Sequence, residues 1–488
     1  MTNPFTSPPF PPPGDQHDPE RLTNILLALE APQHWFAWLT DHYDGVHPLS
    51  FLAPEARQAL GSRFDRLAVN IPRLVITSIA ERLRLTGFDG ADAEAVWQGY
   101  TANDLDLYSY QAHAEALLFG RAYAFVWTAP DGSPRVSVES ARQCAVLADP
   151  GSRQVVSAVK RWRTTTSTEA VLLLPDRIER YWASAGATSG GFNLVDVQPN
   201  NLGVVPVVQL LNHDRLPITW GVSGLDEIAY PERLLIGSAA ESEIWDICPL
   251  SDALGKLIVD MLVTSEFVGR PRRWATGIEL MEEPELDRRG QPVLDDDGNQ
   301  VIITTNPIAE TSRMMVSEDE NAKFGQLDGA RLDGYEAAVN VLTQQIAAVS
   351  SLPAHYLGVM SNQPPSADAL RASEQSLVAR CEQKQRSFGK AWQKVGQLMM
   401  AVQNGVDPRD VEISPIWAPA DEASQAQEAD STVKLYQAGL LPASYALRKL
   451  GYTDEEIVQI RSDTTADGNA KADGDPVARM YGRMGLDN

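Results

Sequence analysis

The apolar positions of this chain change period several times, and each change predicts an element. Leu22, Ile25, Leu26 and Leu29 recur three and four apart, and Trp35, Phe36 and Leu39 continue the set after Pro32. That spacing predicts helix over residues 19–40, and His42-Tyr-Asp-Gly45 reads as the turn that follows it. A second helix is expected over 73–85, with Leu74, Val75, Ile79 and Leu83 on one face, Pro72 in its first turn and Gly87 ending it. A third, over 103–119, spaces Leu105, Tyr108, Ala112, Glu115 and Leu118 by three or four. After Gly120 the pattern becomes strand-like. Residues 122–127, the turn Pro130-Asp-Gly-Ser-Pro134 and residues 135–138 read as a hairpin. Short strands are expected at 155–163, 170–174 and 178–182, and the apolar run 204–211 closes an α+β region. The Ser184–Gly191 stretch is a small-residue loop, and no Lys-Ser/Thr and helix follow to make it a phosphate loop.

Beyond a connector at 214–248, rich in Gly, Pro and charge, an amphipathic helix is expected over 249–267. It runs into a basic, Trp-bearing turn, Arg270-Pro-Arg-Arg-Trp-Ala-Thr-Gly277. Residues 276–331 read as strands and hairpins. Leu294-Asp-Asp-Asp-Gly-Asn-Gln-Val301 is a turn between strands 292–294 and 301–305. Its aspartates are consecutive, whereas a helix-loop-helix calcium site needs alternating oxygens and a distal Glu, so a hairpin tip is favoured. The chain returns as a helix over 335–349, with Tyr335, Ala338, Val339, Leu342, Ile346 and Val349 on one stripe and Asn340, Thr343 and Gln344 opposite. Two helices joined through a projecting module make a stem with a tip. A loop at 358–365 precedes Ser366, a candidate cap for a helix reaching Gln403, well beyond usual helix length. Its second half has a strong stripe (Phe388, Trp392, Val395, Met399, Val402), while 371–386 is mostly polar. A half-polar long helix fits a position between subunits or across two domains. A strand at 411–417 and helices at 428–438 and 442–461 follow. Residues 1–18 (Pro-rich) and 462–488 (acidic) are read as disordered tails.

Composition removes several function classes. The 488 residues suffice for two to four domains. No apolar run approaches the roughly 18 residues needed to span a bilayer, and the N-terminus lacks the basic and apolar regions of a signal peptide. Cys144, Cys248 and Cys381 are odd in number and far apart, which predicts buried reduced thiols rather than a metal or disulfide framework. The net charge of −24 argues against tight sequence-independent DNA binding. It does not argue against a DNA conduit, because an acidic wall keeps a polyanion from sticking. Nucleotide-loop, metalloprotease and nucleophile-elbow motifs are missing, and no catalytic, cofactor or metal residues are expected. His42 and His47 flank Asp44, the nearest approach to a ligand cluster, and read as incidental loop histidines. The adjacent carboxylates Glu282-Glu283 and Glu455-Glu456 read as solvated charge. The cluster Arg270, Arg272, Arg273 and Trp274 has two open readings: phosphate contact with base stacking, or pairing with acidic neighbours in a ring.

Several short words occur in order along the chain: Tyr43-Asp-Gly with His47-Pro-Leu, Glu81-Arg-Leu-Arg-Leu-Thr-Gly-Phe88, Ala102-Asn-Asp-Leu-Asp106, His113-Ala-Glu-Ala-Leu117 and Gly120-Arg-Ala-Tyr123. Lys160-Arg-Trp162, Ser242-Glu-Ile244, Pro249-Leu-Ser-Asp252, Asp260-Met-Leu262, Ser265-Glu-Phe267 and Arg273-Trp-Ala-Thr-Gly277 follow. Last come Pro353-Ala-His-Tyr-Leu357, Ser366-Ala-Asp-Ala-Leu370 and Lys384-Gln-Arg-Ser-Phe-Gly389. In this order the chain, from about His42 to about Ile460, resembles the portal proteins of tailed bacteriophages. The resemblance implies a multi-domain α+β portal fold: a wing over 19–248, stem helices at 249–267 and 335–356 and a clip at 268–334. It further implies a tunnel loop at 357–366, a long helix and wing return at 367–424 and a crown at 425–461. It implies a twelve-subunit ring at one capsid vertex through which double-stranded DNA is packaged and ejected. Its implied partners are the terminase large subunit, a head-tail adaptor, the major capsid protein and a scaffold, with no membrane and no chemistry of its own. The expected channel and loop residues are Asn340, Gln344, Gly358, Met360, Ser361, Asn362 and Gln363, and the basic cluster falls in the clip. Two features depart from the pattern: the 214–241 connector is longer than expected, and Gly255 lies inside the first stem helix. The alternative is another non-enzymatic head or tail protein of the virion.

Overall fold

A computed structural model describes residues 19–48, 69–149, 152, 154–212, 240–269, 273–276, 281–285, 291–292, 298, 300–305, 323–326, 333–358, 366–421, 432–449 and 456–460. The chain divides into two compact units, Met1–Ala418 and Pro419–Asn488.

The first unit opens with two helices where one was expected, α1 (Pro19–Glu30) and α2 (Gln33–Asp44). The break falls at Ala31-Pro32, because proline has no N–H to carry the helix on. Leu22, Ile25, Leu26 and Leu29 are all buried, as their spacing requires. They pack on Ala145, Val159, Ala170, Leu172, Leu174 and Tyr181. All but Leu174, which follows β6, belong to a five-stranded antiparallel sheet in the order β4 (Cys144–Ala148), β5 (Val155–Arg163), β6 (Ser167–Leu173), β7 (Arg177–Ser184), β8 (Asn193–Pro199). Truncating one of these buried leucines to Ala would cost about 2–5 kcal/mol.

Helices α3 (Ile71–Ala80), α4 (Ala93–Ala102) and α5 (Leu105–Phe119) follow α2. The 73–85 helix is therefore corrected. It stops at Ala80, and Leu85 opens strand β1 (Leu85–Gly90), so Gly87 lies within a strand. The reason is tertiary: β1 pairs antiparallel with β14 (Ile413–Trp417), from Leu85↔Trp417 to Gly90↔Ile413. Gly90 has φ +125, and a Cβ there would lie 2.1 Å from the Glu412 carbonyl oxygen, so the pairing requires glycine. Tyr108 is 42% exposed and leaves the stripe assigned to it, because α5 buries Leu105, Ser109, Ala112 and His113 instead. Helix α4 and strands β4 and β8 were not expected. The predicted hairpin is β2 (Arg121–Thr128) with β3 (Pro134–Ser140), and β9 (Val207–Leu211) adds to give a sheet of order β3-β2-β9.

The later helices are α6 (Cys248–Gly269), α7 (Asp333–Ser350) and α8 (Ala367–Asn404), the last of 38 residues as its length in sequence suggested. Ser366 caps α8, its hydroxyl accepting the Ala369 N–H at 3.2 Å. Phe388, Trp392, Val395 and Met399 are buried along α8. Gly396 lets the helix approach closely, since a Cβ there would meet Ile413 Cδ1 at 2.5 Å and Val96 Cγ1 at 2.8 Å. In the second unit, residues 432–437 and 456–460 are helical, and α9 spans Ala443–Lys449. Most of the 214–248 connector and both tails lie outside the described residues.

Candidate functional site

Helix α6 begins deep in the first unit, with Cys248, Ser251, Leu254 and Val259 buried. The Ser251 hydroxyl donates to the Val69 carbonyl at 3.1 Å and fixes that end. Helix α7 runs back beside α6, and near the far end the hydroxyls of Thr264 and Tyr335 meet at 3.1 Å. Beyond the helices the chain continues as two antiparallel pairs, β10 (Arg273–Thr276) with β13 (Lys323–Gln326) and β11 (Met281–Pro284) with β12 (Ile302–Thr305). The pairing is nested in sequence, which is what an extended tip carried on two helices requires. The strand predicted at 301–305 is β12. Of the aspartate turn, 294–297 and 299 lie outside the described residues.

At about 100° per residue, α7 presents three faces. Thr343, Ile346 and Ser350 are buried. Thr343 was expected on the polar face; instead it turns inward, and its hydroxyl is satisfied by the Val339 carbonyl at 2.8 Å. Glu336, Asn340 and Gln344 form an exposed polar stripe. Next to it Ala337, Val341 and Ala348 form an exposed apolar stripe, with Val341 57% exposed. Val349, expected on the buried stripe, is 40% exposed. Ala337 and Val341 continue into a shallow groove of about 740 Å³ whose other wall is Ala253 and Leu257 of α6, with Lys256, ion-paired to Asp260, on its rim.

The C-terminal end of α7 is tied down. The guanidinium of Arg380 donates to the Ser350 carbonyl at 2.8 Å, placing a cation on the negative end of the helix. Ser351 then turns left-handed (φ +59), and a short 3-10 helix, Ala354–Leu357, ends at Gly358 with φ +76. Residues 359–365, including Met360, Ser361, Asn362 and Gln363, lie outside the described residues, as do Arg270 and Arg272. Arg273 and Trp274 contribute backbone to β10, opposite Gln326 and Gly325.

Both flanks of that loop are held by one cluster that the sequence did not announce. The Arg82 guanidinium donates to the Tyr356 hydroxyl at 2.9 Å and to Glu374 at 3.2 Å. His355 lies 3.5 Å from the same Glu374 carboxylate. Deeper, Glu243 is 3% exposed and receives Lys384 at 2.6 Å, the Asn212 amide at 3.0 Å and Arg380 at 3.5 Å. The polar half of α8 thus sends Glu374, Arg380 and Lys384 to partners in its own chain.

Two further groups are buried. His113 has no exposure and stacks on Phe388, and its Nε2 accepts the Trp392 indole N–H at 2.8 Å. Desolvation pushes its pKa down to about 3, so it is a neutral acceptor. His42 and His47, expected as incidental loop residues, are also buried and stack with centroids 4.1 Å apart. Their carboxylate partner is Asp252 on α6, while Asp44 pairs with Arg73 at 3.0 Å. All three cysteines are free and buried, and burial raises each thiol pKa, that of Cys381 to about 11. They are inert packing residues.

The portal protein of Mycobacterium phage L5 is 27% identical over 460 residues, covering 90% of this chain and 86% of that protein. The portal protein of Mycobacterium phage D29 is 28% identical over 413 residues, covering 80% and 78%. Among solved structures, a chain from the neck of a native gene transfer agent particle computed with C12 symmetry covers 84% of this chain and 97% of its own length, with a TM-score of 0.42 and 12% identity. A family profile described as phage portal protein, SPP1 Gp6-like, matches residues 56–469. That span takes in the paired helices α6 and α7, the strands between them and the whole of α8, and so the chain belongs to the SPP1 Gp6-like family of phage portal proteins.

Proposed function

We propose that this chain assembles into a homo-oligomeric ring of about twelve subunits at one vertex of the capsid, and that the ring is the channel for double-stranded DNA during packaging and ejection. In this reading α6 and α7 are the stem and the strands between them the clip. The wing lies before α6, the loop after Gly358 is the tunnel loop, and the helices of the second unit are the crown. The three faces of α7 carry the proposal. One face packs within the chain. The apolar stripe of Ala337, Val341 and Ala348 and the adjoining groove are left for a neighbouring copy, because a ring covers apolar surface that a monomer leaves wet. The polar stripe of Glu336, Asn340 and Gln344 then faces the lumen, offering DNA short-lived hydrogen bonds on a single carboxylate background.

The clip is the proposed docking surface for the terminase large subunit and then for the head-tail adaptor, and the wing for the major capsid protein and scaffold. The protein performs no chemistry itself; the motor supplies the work. Electron microscopy of the purified protein tests the proposal. Rings with an axial hole are expected for the wild type and for Asn340→Asp, and loss of rings for Val341→Asp. Compact wild-type monomers or dimers across salt conditions would overturn it, as would intact rings of Val341→Asp.

A further inference from the structure

Two imidazoles and one carboxylate converge where α2 ends and α6 begins. His42 stands in the last turn of α2, His47 follows the left-handed Gly45, and Asp252 is in the first turns of α6. The histidines are 2% and 8% exposed. Asp252 Oδ1 lies 3.1 Å from His42 Nε2 and 3.4 Å from His47 Nε2, and the three ligand atoms are all within 4.8 Å of one another. We propose that His42, His47 and Asp252 bind one divalent transition-metal ion of the zinc class, which pins the root of the α6–α7 pair to α2.

His42 makes the first argument. Its Nδ1 lies 2.9 Å from the Trp38 carbonyl, which can only accept, so Nδ1 carries the ring proton. The ring therefore turns its other nitrogen, Nε2, toward the Asp252 carboxylate oxygen at 3.1 Å. A metal ion placed there takes the position a bridging proton would otherwise hold and makes the nitrogen and the oxygen two ligands of one ion. A ligating histidine that donates its second ring N–H to a backbone carbonyl is the usual outer-shell arrangement at a metal.

The distances make the second argument. Around zinc with bonds of about 2.0–2.1 Å, neighbouring ligand atoms of a tetrahedron are about 3.3 Å apart. The two observed nitrogen–oxygen separations, 3.1 and 3.4 Å, lie on either side of that edge. Two nitrogens with one oxygen suit zinc, cobalt or nickel, whereas magnesium and calcium take oxygen sets. The rings are parallel, 4° apart, and a shared ion must lie in both ring planes, so loading tilts one ring. His47 is the ring that turns, since it lies beyond the left-handed Gly45 and not in the helix that fixes His42. Three protein ligands leave the fourth tetrahedral position to a water, and with so little exposure the ion's role is structural. It joins ligands 210 residues apart in sequence, and its binding energy adds to folding.

The test uses the full chain, stripped with chelator and dialysed. Zn(II) is titrated by calorimetry and Co(II) by absorption. One Zn(II) per chain and the intense ligand-field bands of tetrahedral Co(II) are expected. His47→Gln and Asp252→Asn should each weaken Zn(II) by about 100-fold or more, at least the loss seen when an outer-shell partner is removed. His355→Gln, an imidazole–carboxylate pair elsewhere in the chain, should bind as wild type. No stoichiometric binding, an octahedral Co(II) spectrum, or equal affinity in His47→Gln (an adventitious ion only) overturns the proposal. Should those variants fail to fold, the wild-type Co(II) spectrum decides alone.

Discussion

His113 shows how much one buried side chain contributes. It sits between α5 and α8 as a neutral acceptor for the Trp392 N–H, with a pKa near 3 against an ordinary 6.5. The unfolded chain takes up a proton below pH 6.5 and the native state does not. Stability from this group is therefore complete above pH 6.5 and falls as pH drops toward 3, by about 2 kcal/mol at pH 5. Melting temperature measured against pH should show that acid slope, and His113→Gln, which keeps an acceptor without the titration, should flatten it; an unchanged slope would contradict the assignment. Lys384 and Glu243 are a different case, a nearly solvent-free ion pair at 2.6 Å. Lys384→Met leaves the buried carboxylate to the Asn212 amide and the more distant Arg380 and should cost about 3 kcal/mol. The double variant with Glu243→Gln should recover much of that loss in urea denaturation, and strict additivity would show that the two do not interact.

At the scale of elements, what the sequence made legible follows from where each element gets its stability. Helices α6, α7 and α8 carry their own apolar stripes, α8 also its Ser366 cap, and their expected bounds agree to within a few residues. Strand β8 is exposed along its whole length, so it has no alternation to read. Strand β1 is not legible, and the expected 73–85 helix runs into its first residue, Leu85, because its partner, β14, is supplied by the far end of the unit. The cluster of Arg82, Tyr356 and Glu374 was invisible for the same reason, although Arg82 and Tyr356 sit in two of the words that suggested the family. The fold brings those words together on either flank of the proposed tunnel loop. Its flanks are held while Gly358 turns the chain out, so changes within the loop should leave the ring untouched. Replacing residues 358–363 with a shorter linker should lower DNA packaging and leave rings normal by microscopy. Normal packaging yields would remove the loop from the mechanism.

For the whole molecule, charge and connectivity set the terms. With 41 basic against 65 acidic residues, the chain has little means to displace counterions from a phosphate backbone. Gel retardation of duplex DNA should show no stable complex between about 50 and 200 mM salt, where phosphate-neutralising proteins bind with a steep salt dependence. A salt-sensitive complex lost on changing Arg270, Arg272 and Arg273 would instead make that cluster a DNA contact. Connectivity acts earlier, at the ribosome. Strand β1 is made early and cannot pair until β14 emerges, some 330 residues later. At about 5–20 residues per second that wait lasts tens of seconds. Throughout it the nascent polypeptide holds an open strand edge at β1. A messenger broken before codon 413 therefore yields a product that cannot close its first unit.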